Sequence, residues 1–289
     1  MRINTNTAAM NTYSQLTSAN ASKSSSLAKL SSGLRINKAG DDAAGLAISE
    51  KMKNQISGMN QASRNAQDGI SLIQTAEGGL TETHSILNRM RDLAVQAKND
   101  TNTSEDRGAI QKEMDSLTLE VDRIANQTEF NGKKLLKEGA AGEGSSFTFQ
   151  IGANKGQDIT LKVADMTAAS LKVGTVTDGV LDAADKLDVS TDTLSAADFD
   201  TVIGKLDDAI SSVSTERANL GATQNRLDHT VSNLATTKEN LSEANSRITD
   251  VDMAEEMMSF TKSNILSQAS TAMLAQANQM PQGVLQLLQ

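Results

Sequence analysis

The sequence has no cysteine and no tryptophan, and it is poor in the other residues that mark compact globular domains. Its 289 residues include one proline (Pro281), one tyrosine (Tyr13) and five phenylalanines. Without cysteine, a disulfide framework and thiol chemistry are both excluded. Aromatic side chains normally supply the largest buried areas of a core, so the apolar surface must come from aliphatic residues spread along long elements. This composition favours helical rods over a compact core.

Excess positive charge and long apolar runs are also lacking. There are 27 lysines and arginines against 36 acidic residues, which gives a formal net charge of −9. Such a chain lacks the basic patch that displaces phosphate counterions, so a nucleic-acid partner is disfavoured. No run of about 18 apolar residues is present, and we expect no membrane-spanning segment. The first ten residues lack the apolar stretch of a secretory signal, so we expect that the general secretory route is not used.

Catalytic and nucleotide-binding motifs are missing as well. The sequence contains no P-loop, no HExxH and no GxSxG. The glycine cluster from Gly139 to Gly144 neither follows a predicted strand nor opens a predicted helix, and we interpret it as a linker. His84 and His229 are lone residues on predicted helices, where a polar face or a helix seam is the commoner role. We therefore expect no enzyme activity, no metal and no cofactor.

Both ends of the chain are free of charge and carry apolar residues at helical spacing. No charged residue occurs from Ile3 to Ser22 or from Ser263 to Gln289. The spacing predicts two terminal helices, which would bury little area alone and be marginal in isolation. Two interpretations remain open, namely frayed tails or segments that become ordered only when many copies meet. The residues assigned to this inner-core assembly are Tyr13, Leu16, Leu27, Leu30, Leu34, Leu266, Met273, Met280 and Leu287.

Apolar residues recur every seven positions in two long stretches, which predicts coiled-coil helices over about 43–99 and 203–249. Gly78 and Gly79 interrupt the first stretch and predict a soft point. A third helix, over about 104–128, is predicted from Thr103 or Ser104 as its N-cap. The coiled-coil seam residues are Met52, Met59, Ile73, Leu80, Leu87, Leu206, Val213, Leu220, Leu227, Leu234, Leu241 and Ile248.

Alternating apolar residues predict two β-strands within the region of about 140–172. Phe147, Phe149 and Ile151 alternate with polar neighbours. Ile159, Leu161 and Val163 do the same after a polar connection, as expected for a β-hairpin. The segment 173–200 is predicted to be irregular. The predicted fold class is therefore mainly α, a long antiparallel coiled-coil bundle of three main helices with a β-hairpin region and paired N- and C-terminal helices.

The stretch KLSSGLRINKAGDDAAGLAIS, residues 29–49, separates the first predicted helix from the long one. Asp41 and Asp42 could form a metal or acid–base pair, but no third ligand is spaced to complete such a site. Capping the helix that begins at Ala43 needs only one aspartate. Gly33 and Gly40 would supply the turns, since glycine tolerates positive φ. We interpret these four residues as a corner between the terminal and the main helices.

Several long blocks carry a family resemblance. LSSGLRINKAGDDAAGLAIS, QDGISLIQTAEGGLTETHSILNRMRDLAVQA, TEFNGKKLL and FTFQIGAN resemble successive blocks of the bacterial flagellins. LGATQNRLDHTVSNL, SRITDVDMAEEM and NILSQASTAMLAQANQMPQGVLQLL resemble the C-terminal half of the same family. The resemblance covers roughly 1–170 and 203–289. The chain looks like a minimal member without the extra outer domains that many flagellins carry.

The resemblance implies a structural subunit that polymerises into the flagellar filament, the helical propeller for swimming. It also implies export of the unfolded chain by the flagellar type III apparatus to an extracellular location. Residues 1–42 with 250–289 would form the inner core that lines the channel, and residues 43–249 would form the tube wall. The implied partners are further copies of the chain, an export chaperone, and the cap and hook-junction proteins.

The resemblance further implies that a host Toll-like receptor contacts Arg89, Leu93 and Glu113. The alternative is that these three residues serve subunit packing and solvation. Two other functions remain open at this point. A hook–filament junction protein of the same family would share the terminal blocks, and a secreted coiled-coil effector would be of a different class.

Overall fold

The computed structural model describes residues 6–137, 145–177, 180–182, 186–190 and 196–286, and the predicted mainly α fold is confirmed. Within these ranges lie five helices: α1 (Thr7–Ser32), α2 (Ala43–Ala97), α3 (Ser104–Gln127), α4 (Ala196–Thr249) and α5 (Met253–Gln286). The same ranges hold six short strands: β1 (Glu129–Phe130), β2 (Lys133–Lys134), β3 (Ser145–Gln150), β4 (Asp158–Val163), β5 (Val176–Thr177) and β6 (Val180–Leu181). None of the described helices has the length and apolar character needed to cross a membrane.

The chain divides into two compact units. Unit 1 comprises Met1–Ile56 and Lys238–Gln289, and unit 2 comprises Ser57–Thr237. The division therefore falls inside the long helices α2 and α4. The boundaries expected from the sequence, after residues 42 and 249, coincide instead with the helix ends.

Unit 2 is built around an antiparallel bundle of α2, α3 and α4. Ion pairs join Arg91 to Asp207 at 2.6 Å and Lys98 to Asp200 at 2.5 Å, so α2 and α4 run in opposite directions. The bundle buries the central part of both heptad seams, with these residues at most 5% exposed: Met59, Ile73, Leu80, Leu87, Leu206, Val213, Leu220 and Leu227. The outer seam residues are only half-buried: Met52, Leu234, Leu241 and Ile248.

Helix α2 continues without a break through the glycine pair that was predicted to be a soft point. A Cβ atom on Gly79 would lie 2.9 Å from Thr128 Oγ1 and 3.0 Å from Leu136 Cδ1. A Cβ atom on Gly78 would meet nothing within 4 Å. Gly79 therefore allows the chain around Thr128 and Leu136 to approach the helix, which is a packing role.

The predicted hairpin is formed by β3 and β4. Phe147 pairs with Leu161 and Phe149 with Ile159. Ile159, Leu161 and Val163 point into the core of unit 2. Ile151 lies one residue beyond β3, where its N–H donates to the carbonyl of Gln157 at 3.0 Å.

The segment predicted as irregular contains more structure than the sequence indicated. Strands β5 and β6 pair within it, and α4 begins at Ala196 rather than near residue 203. Its described middle part is tied to α3 by the buried amide of Gln111. The amide nitrogen donates to the Leu187 carbonyl at 2.9 Å, and the amide oxygen accepts from the Val189 N–H at 2.7 Å.

In unit 1, α1 and α5 form an antiparallel pair. Asn6 caps α1 at its start, and Gly33 ends it in the left-handed conformation with φ 71°. Just beyond, the Arg35 N–H donates to the Thr249 carbonyl at 2.6 Å, and the Val251 N–H donates to the Gly33 carbonyl at 3.1 Å. These backbone hydrogen bonds hold together the two chain segments from which α1 and α5 depart.

Candidate assembly surface

The seam between α1 and α5 is made mostly of small and polar residues. The least exposed positions follow the 3–4 spacing of a coiled coil on both helices. On α1 they are Ala9, Thr12, Leu16, Ala19, Lys23, Ser26 and Leu30. On α5 they are Glu256, Phe260, Ser263, Ser267, Ser270, Leu274 and Ala277. The two helices pack against each other along this seam, but its small side chains bury little apolar area.

Polar contacts set the register of this pair. Asn6 Nδ2 donates to the Ala277 carbonyl at 2.8 Å at one end of the pair. In the middle, Lys23 Nζ donates to Asn264 Oδ1, also at 2.8 Å. At the other end, the Lys29 ammonium lies 3.8 Å from a carboxylate oxygen of Glu256. These contacts specify which residues face each other, and partly buried polar pairs of this kind add only modest stability.

Most large apolar residues of the two helices lie outside the seam, apart from Leu16, Leu30, Phe260 and Leu274. Nine of the twelve large hydrophobic residues that are exposed in the described chain belong to α1 or α5. They are Met10, Tyr13, Leu27, Met253, Met257, Met258, Ile265, Leu266 and Met273. We call these nine residues, which lie on the exposed sides of the two helices, the outer apolar face. The concentration of exposed large apolar residues on one helix pair indicates a surface that a partner covers.

The predicted inner-core residues fall into two groups. Leu16, Leu30 and Leu34 are half-buried. Tyr13, Leu27, Leu266 and Met273 are 48–63% exposed and belong to the outer apolar face. The side chain of Met280 and residue Leu287 lie outside the described residues. Sequence reasoning missed the serine- and alanine-rich seam, whose only signal was the 3–4 spacing of small residues.

The corner between α1 and α2 uses its two aspartates differently. Asp42 Oδ1 accepts from the Gly45 N–H at 2.8 Å and so caps α2. Asp41 Oδ2 accepts from the N–H groups of Lys38 at 2.9 Å and Asn37 at 3.0 Å. These backbone hydrogen bonds lower the pKa of Asp41 below its ordinary value.

The glycines of the corner require a correction. Gly33 has the expected positive φ, but Gly40 does not. Gly45 is the glycine that a close approach requires, because a Cβ atom there would collide with the Asp42 carboxylate and with Ile36. The tight packing of the loop over the start of α2 therefore explains Gly45, which the sequence reasoning did not single out.

The three residues carried over for receptor contact do not share one surface. Arg89 donates from Nε at 3.0 Å and from Nη2 at 2.8 Å to Glu113 Oε1, and both side chains are about half exposed. Leu93 is 2% exposed and belongs to the core of unit 2. This corrects the expectation for Leu93, whose burial removes it from direct contact with a partner.

No grouping of three or more histidines or acidic residues that could hold a metal occurs in the part of the chain that the structure describes. The features that stand out are instead a helical body with one buried core and a helix pair that leaves its large apolar residues exposed. These features define a structural protein whose surfaces serve association.

Comparison with known proteins identifies the family. The model for the bacterial flagellin N-terminal helical region matches residues 3–141, and that for the C-terminal helical region matches residues 203–288. The chain is 54% identical over 304 residues to a flagellin of Bacillus subtilis (strain 168), covering 100% of both proteins. The chain belongs to the bacterial flagellins and is a short member without outer domains. It is a structural subunit of the flagellar filament, which is extracellular, and it is not an enzyme.

Two further matches are a relative known by sequence and a solved structure. The chain is 48% identical over 294 residues to the flagellar filament 33 kDa core protein of Treponema phagedenis, covering 100% of both. A solved structure from Vibrio parahaemolyticus, described as a flagellar hook-associated protein, matches with a TM-score of 0.58 over 73% of this chain and 100% of that one. Its sequence identity is 16%, so this likeness shows the fold alone.

Proposed function

We propose that α1 and α5 are the assembly segment of the filament subunit and that neighbouring copies cover the outer apolar face. The observation that carries this proposal is the mismatch between the two sides of the helix pair. The seam inside one molecule consists mostly of small and polar residues, whereas nine large apolar residues remain exposed. Burying such residues against another copy stabilises by roughly 1.5–3 kcal/mol for each fully covered side chain.

The absence of charge at both ends of the chain supports this role. In a tube, identical ends stack around one axis, and like charges a few ångströms apart would repel strongly at low effective dielectric. The stretches Ile3–Ser22 and Ser263–Gln289 avoid this repulsion. The net negative charge is left to the remainder of the chain, where solvent and salt screen it. A repeated contact that does not close on itself then produces a filament rather than a ring.

The two regions of the chain have different proposed roles. Residues 1–42 with 250–289 would form the inner core that lines the channel. Residues 43–249, which contain the buried core of unit 2, would form the tube wall. The half-buried seam residues Leu234, Leu241 and Ile248 would gain further burial from neighbouring copies in that wall.

Assembly would be coupled to ordering of the terminal helices. Among the described side chains, only Ala19 and Ser26 are buried on α1, and only Ser263 and Ala277 on α5. So little burial does not offset the entropy of ordering two long helices. The dilute monomer would thus keep its ends disordered, which suits passage of the unfolded chain through the flagellar type III export apparatus. An export chaperone and the cap and hook-junction proteins would be its partners before and during assembly.

A pair of variants tests the assembly surface. Leu266→Gln combined with Met273→Gln places polar groups on the outer apolar face without touching the seam. Gln268→Ala combined with Gln276→Ala is the matched control, since both glutamines are exposed on the same helix. We expect the first variant to remain a folded monomer that fails to elongate filament seeds in electron micrographs, while the control elongates them. Normal filaments from the first variant would contradict the proposal.

Filament growth also separates the main function from the hook–filament junction alternative. A junction protein is needed in few copies, so it would not form long polymers by itself. We expect the purified full-length chain to form long filaments from seeds. Deletion of Ser263–Gln289 should leave a soluble, folded unit 2 that forms no filaments.

The receptor role is proposed only for the exposed ion pair. Arg89 and Glu113, joined by two hydrogen bonds, form a charged pair on the surface of unit 2 that a second protein can contact. A reporter cell line for the host Toll-like receptor is expected to respond less to Arg89→Ala than to the native chain. An unchanged response would leave Arg89 with a role in packing and solvation.

A further inference from the structure

Among the methionines whose side chains the structure describes, all but the half-buried Met52 are either clearly exposed or buried. Five methionines on α1 and α5 are 49–67% exposed: Met10, Met253, Met257, Met258 and Met273. Four methionines of unit 2 are at most 5% exposed: Met59, Met90, Met114 and Met166. All five exposed methionines belong to the outer apolar face, where they make up more than half of its nine members.

Methionine is also the sulfur-bearing residue with which a soluble oxidant would react. The chain has no cysteine, so no thiol competes for the oxidant. Hydrogen peroxide transfers one oxygen atom to a methionine sulfur. The O–O bond breaks, the sulfur is oxidised by two electrons, and water leaves. The product is a sulfoxide, a polar and chiral group in place of a flexible apolar one.

We propose that the five exposed methionines form an oxidation-sensitive modification site, at which sulfoxide formation blocks filament growth. A thiol-dependent methionine sulfoxide reductase would restore it. The reductase returns the sulfur to the thioether while two thiols become a disulfide and the oxygen leaves as water. This proposal rests on the proposed assembly role of the outer apolar face.

The chemistry acts on the unassembled subunit. In the monomer the five sulfur atoms are open to solvent, whereas in a filament the neighbouring copies would cover them. The buried methionines react only when the core opens, and such opening is rare in a packed core. The four buried methionines therefore serve as an internal reference for the oxidation rates of the five exposed ones.

The first experiment measures oxidation at each methionine. The full-length monomer and the assembled filament are exposed to hydrogen peroxide, and sulfoxide is quantified by peptide mass spectrometry. In the monomer we expect the five exposed methionines to react about tenfold or more faster than the four buried ones. In the filament the five should slow towards the buried rate. Equal rates for both sets in the monomer would overturn the proposal.

The second experiment links oxidation to growth. Peroxide-treated native monomer is expected to lose seeded elongation and to recover it after treatment with a methionine sulfoxide reductase. A variant with all five exposed methionines replaced by leucine keeps an apolar surface that cannot be oxidised, so it should elongate seeds after the same peroxide treatment. Undiminished elongation by treated native protein would overturn the proposal, as would failure of the reductase to restore growth.

A third variant distinguishes this inference from the assembly surface on which it rests. Replacing the five methionines by glutamine imitates the polarity of the sulfoxide without any oxidant. If this variant elongates seeds normally, the outer apolar face is not the assembly surface and both proposals fall. If it fails to elongate while peroxide-treated native protein still grows, the assembly surface stands and the oxidation inference alone is refuted.

Discussion

The buried side-chain amide of Gln111 provides the most direct test of what holds the loop at residues 187–189 against α3. Gln111 is 4% exposed, and Leu187 and Val189 of the loop are 4% and 0% exposed. Gln111→Met keeps the length of the side chain and removes both hydrogen bonds to the loop backbone. The Leu187 carbonyl and the Val189 N–H would then be buried without partners.

The cost follows from these two orphaned groups. Each buried backbone group without a partner costs about 1–3 kcal/mol, so the variant should lose about 2–6 kcal/mol of unfolding free energy. The loop can instead swing out to water, but it then loses the burial of two aliphatic side chains, at about 1.5–3 kcal/mol each. Both routes give a similar loss.

Urea unfolding of the monomer, followed by far-ultraviolet circular dichroism, measures this loss. Lys112→Met is the matched control, because Lys112 is the next residue of α3 and is exposed. A surface substitution of this kind should change stability by no more than about 0.5 kcal/mol. If Gln111→Met behaves like Lys112→Met, the amide does not hold the loop and the reasoning is refuted.

Three other predictions concern single residues of unit 2. Gly78→Ala should raise the free energy of unfolding, measured in urea, by up to about 1 kcal/mol. Gly79→Ala should lower the free energy of unfolding, because Thr128 Oγ1 is held by a 2.7 Å hydrogen bond to the Ile124 carbonyl and cannot move aside freely. Equal effects of the two substitutions would contradict the packing role of Gly79. Hydrogen bonds from the hydroxyl and N–H of Thr103 lower the pKa of Asp106. The stabilisation that these hydrogen bonds give the folded state is present above the unfolded-state pKa of Asp106. It is lost as pH falls through the lowered pKa of the folded state. Thr103→Ala should flatten that part of the stability–pH profile, and an unchanged profile would refute the link.

The heptads of the bundle were predictable because large aliphatic residues at a seven-residue repeat leave few packing alternatives. Leu206, Val213 and Leu220 recur at this spacing, and all three are fully buried. The hairpin was predictable for a similar reason, since the alternation of Ile159, Leu161 and Val163 fits one apolar face of a strand. The Thr103 cap was likewise visible in the sequence, and the structure adds the reciprocal contact from Asp106.

The helix pair of unit 1 was harder to predict, because many of its large apolar residues are exposed and do not pack against the partner helix. Leu266 and Met273 give the strongest periodic signal on α5, yet the seam toward α1 uses Ser263, Ser267 and Ser270. Small polar residues carry no hydrophobic signal, so the seam toward α1 was not visible in the sequence.

Contacts between distant residues were also invisible in the sequence. The two hydrogen bonds of the Gln111 amide join α3 to a loop more than seventy residues further along the chain. The role of Gly79 depends on where Thr128 and Leu136 lie. Neither has a local signature, because each depends on tertiary packing rather than on spacing.

Amide hydrogen exchange, measured on the dilute monomer and on the filament, tests most directly whether the terminal helices gain their order from assembly. We expect the core helices of unit 2 to be protected in both states. The amides of α1 and α5 should exchange rapidly in the monomer and become protected in the filament. Slow exchange throughout α1 and α5 in the dilute monomer would contradict the account.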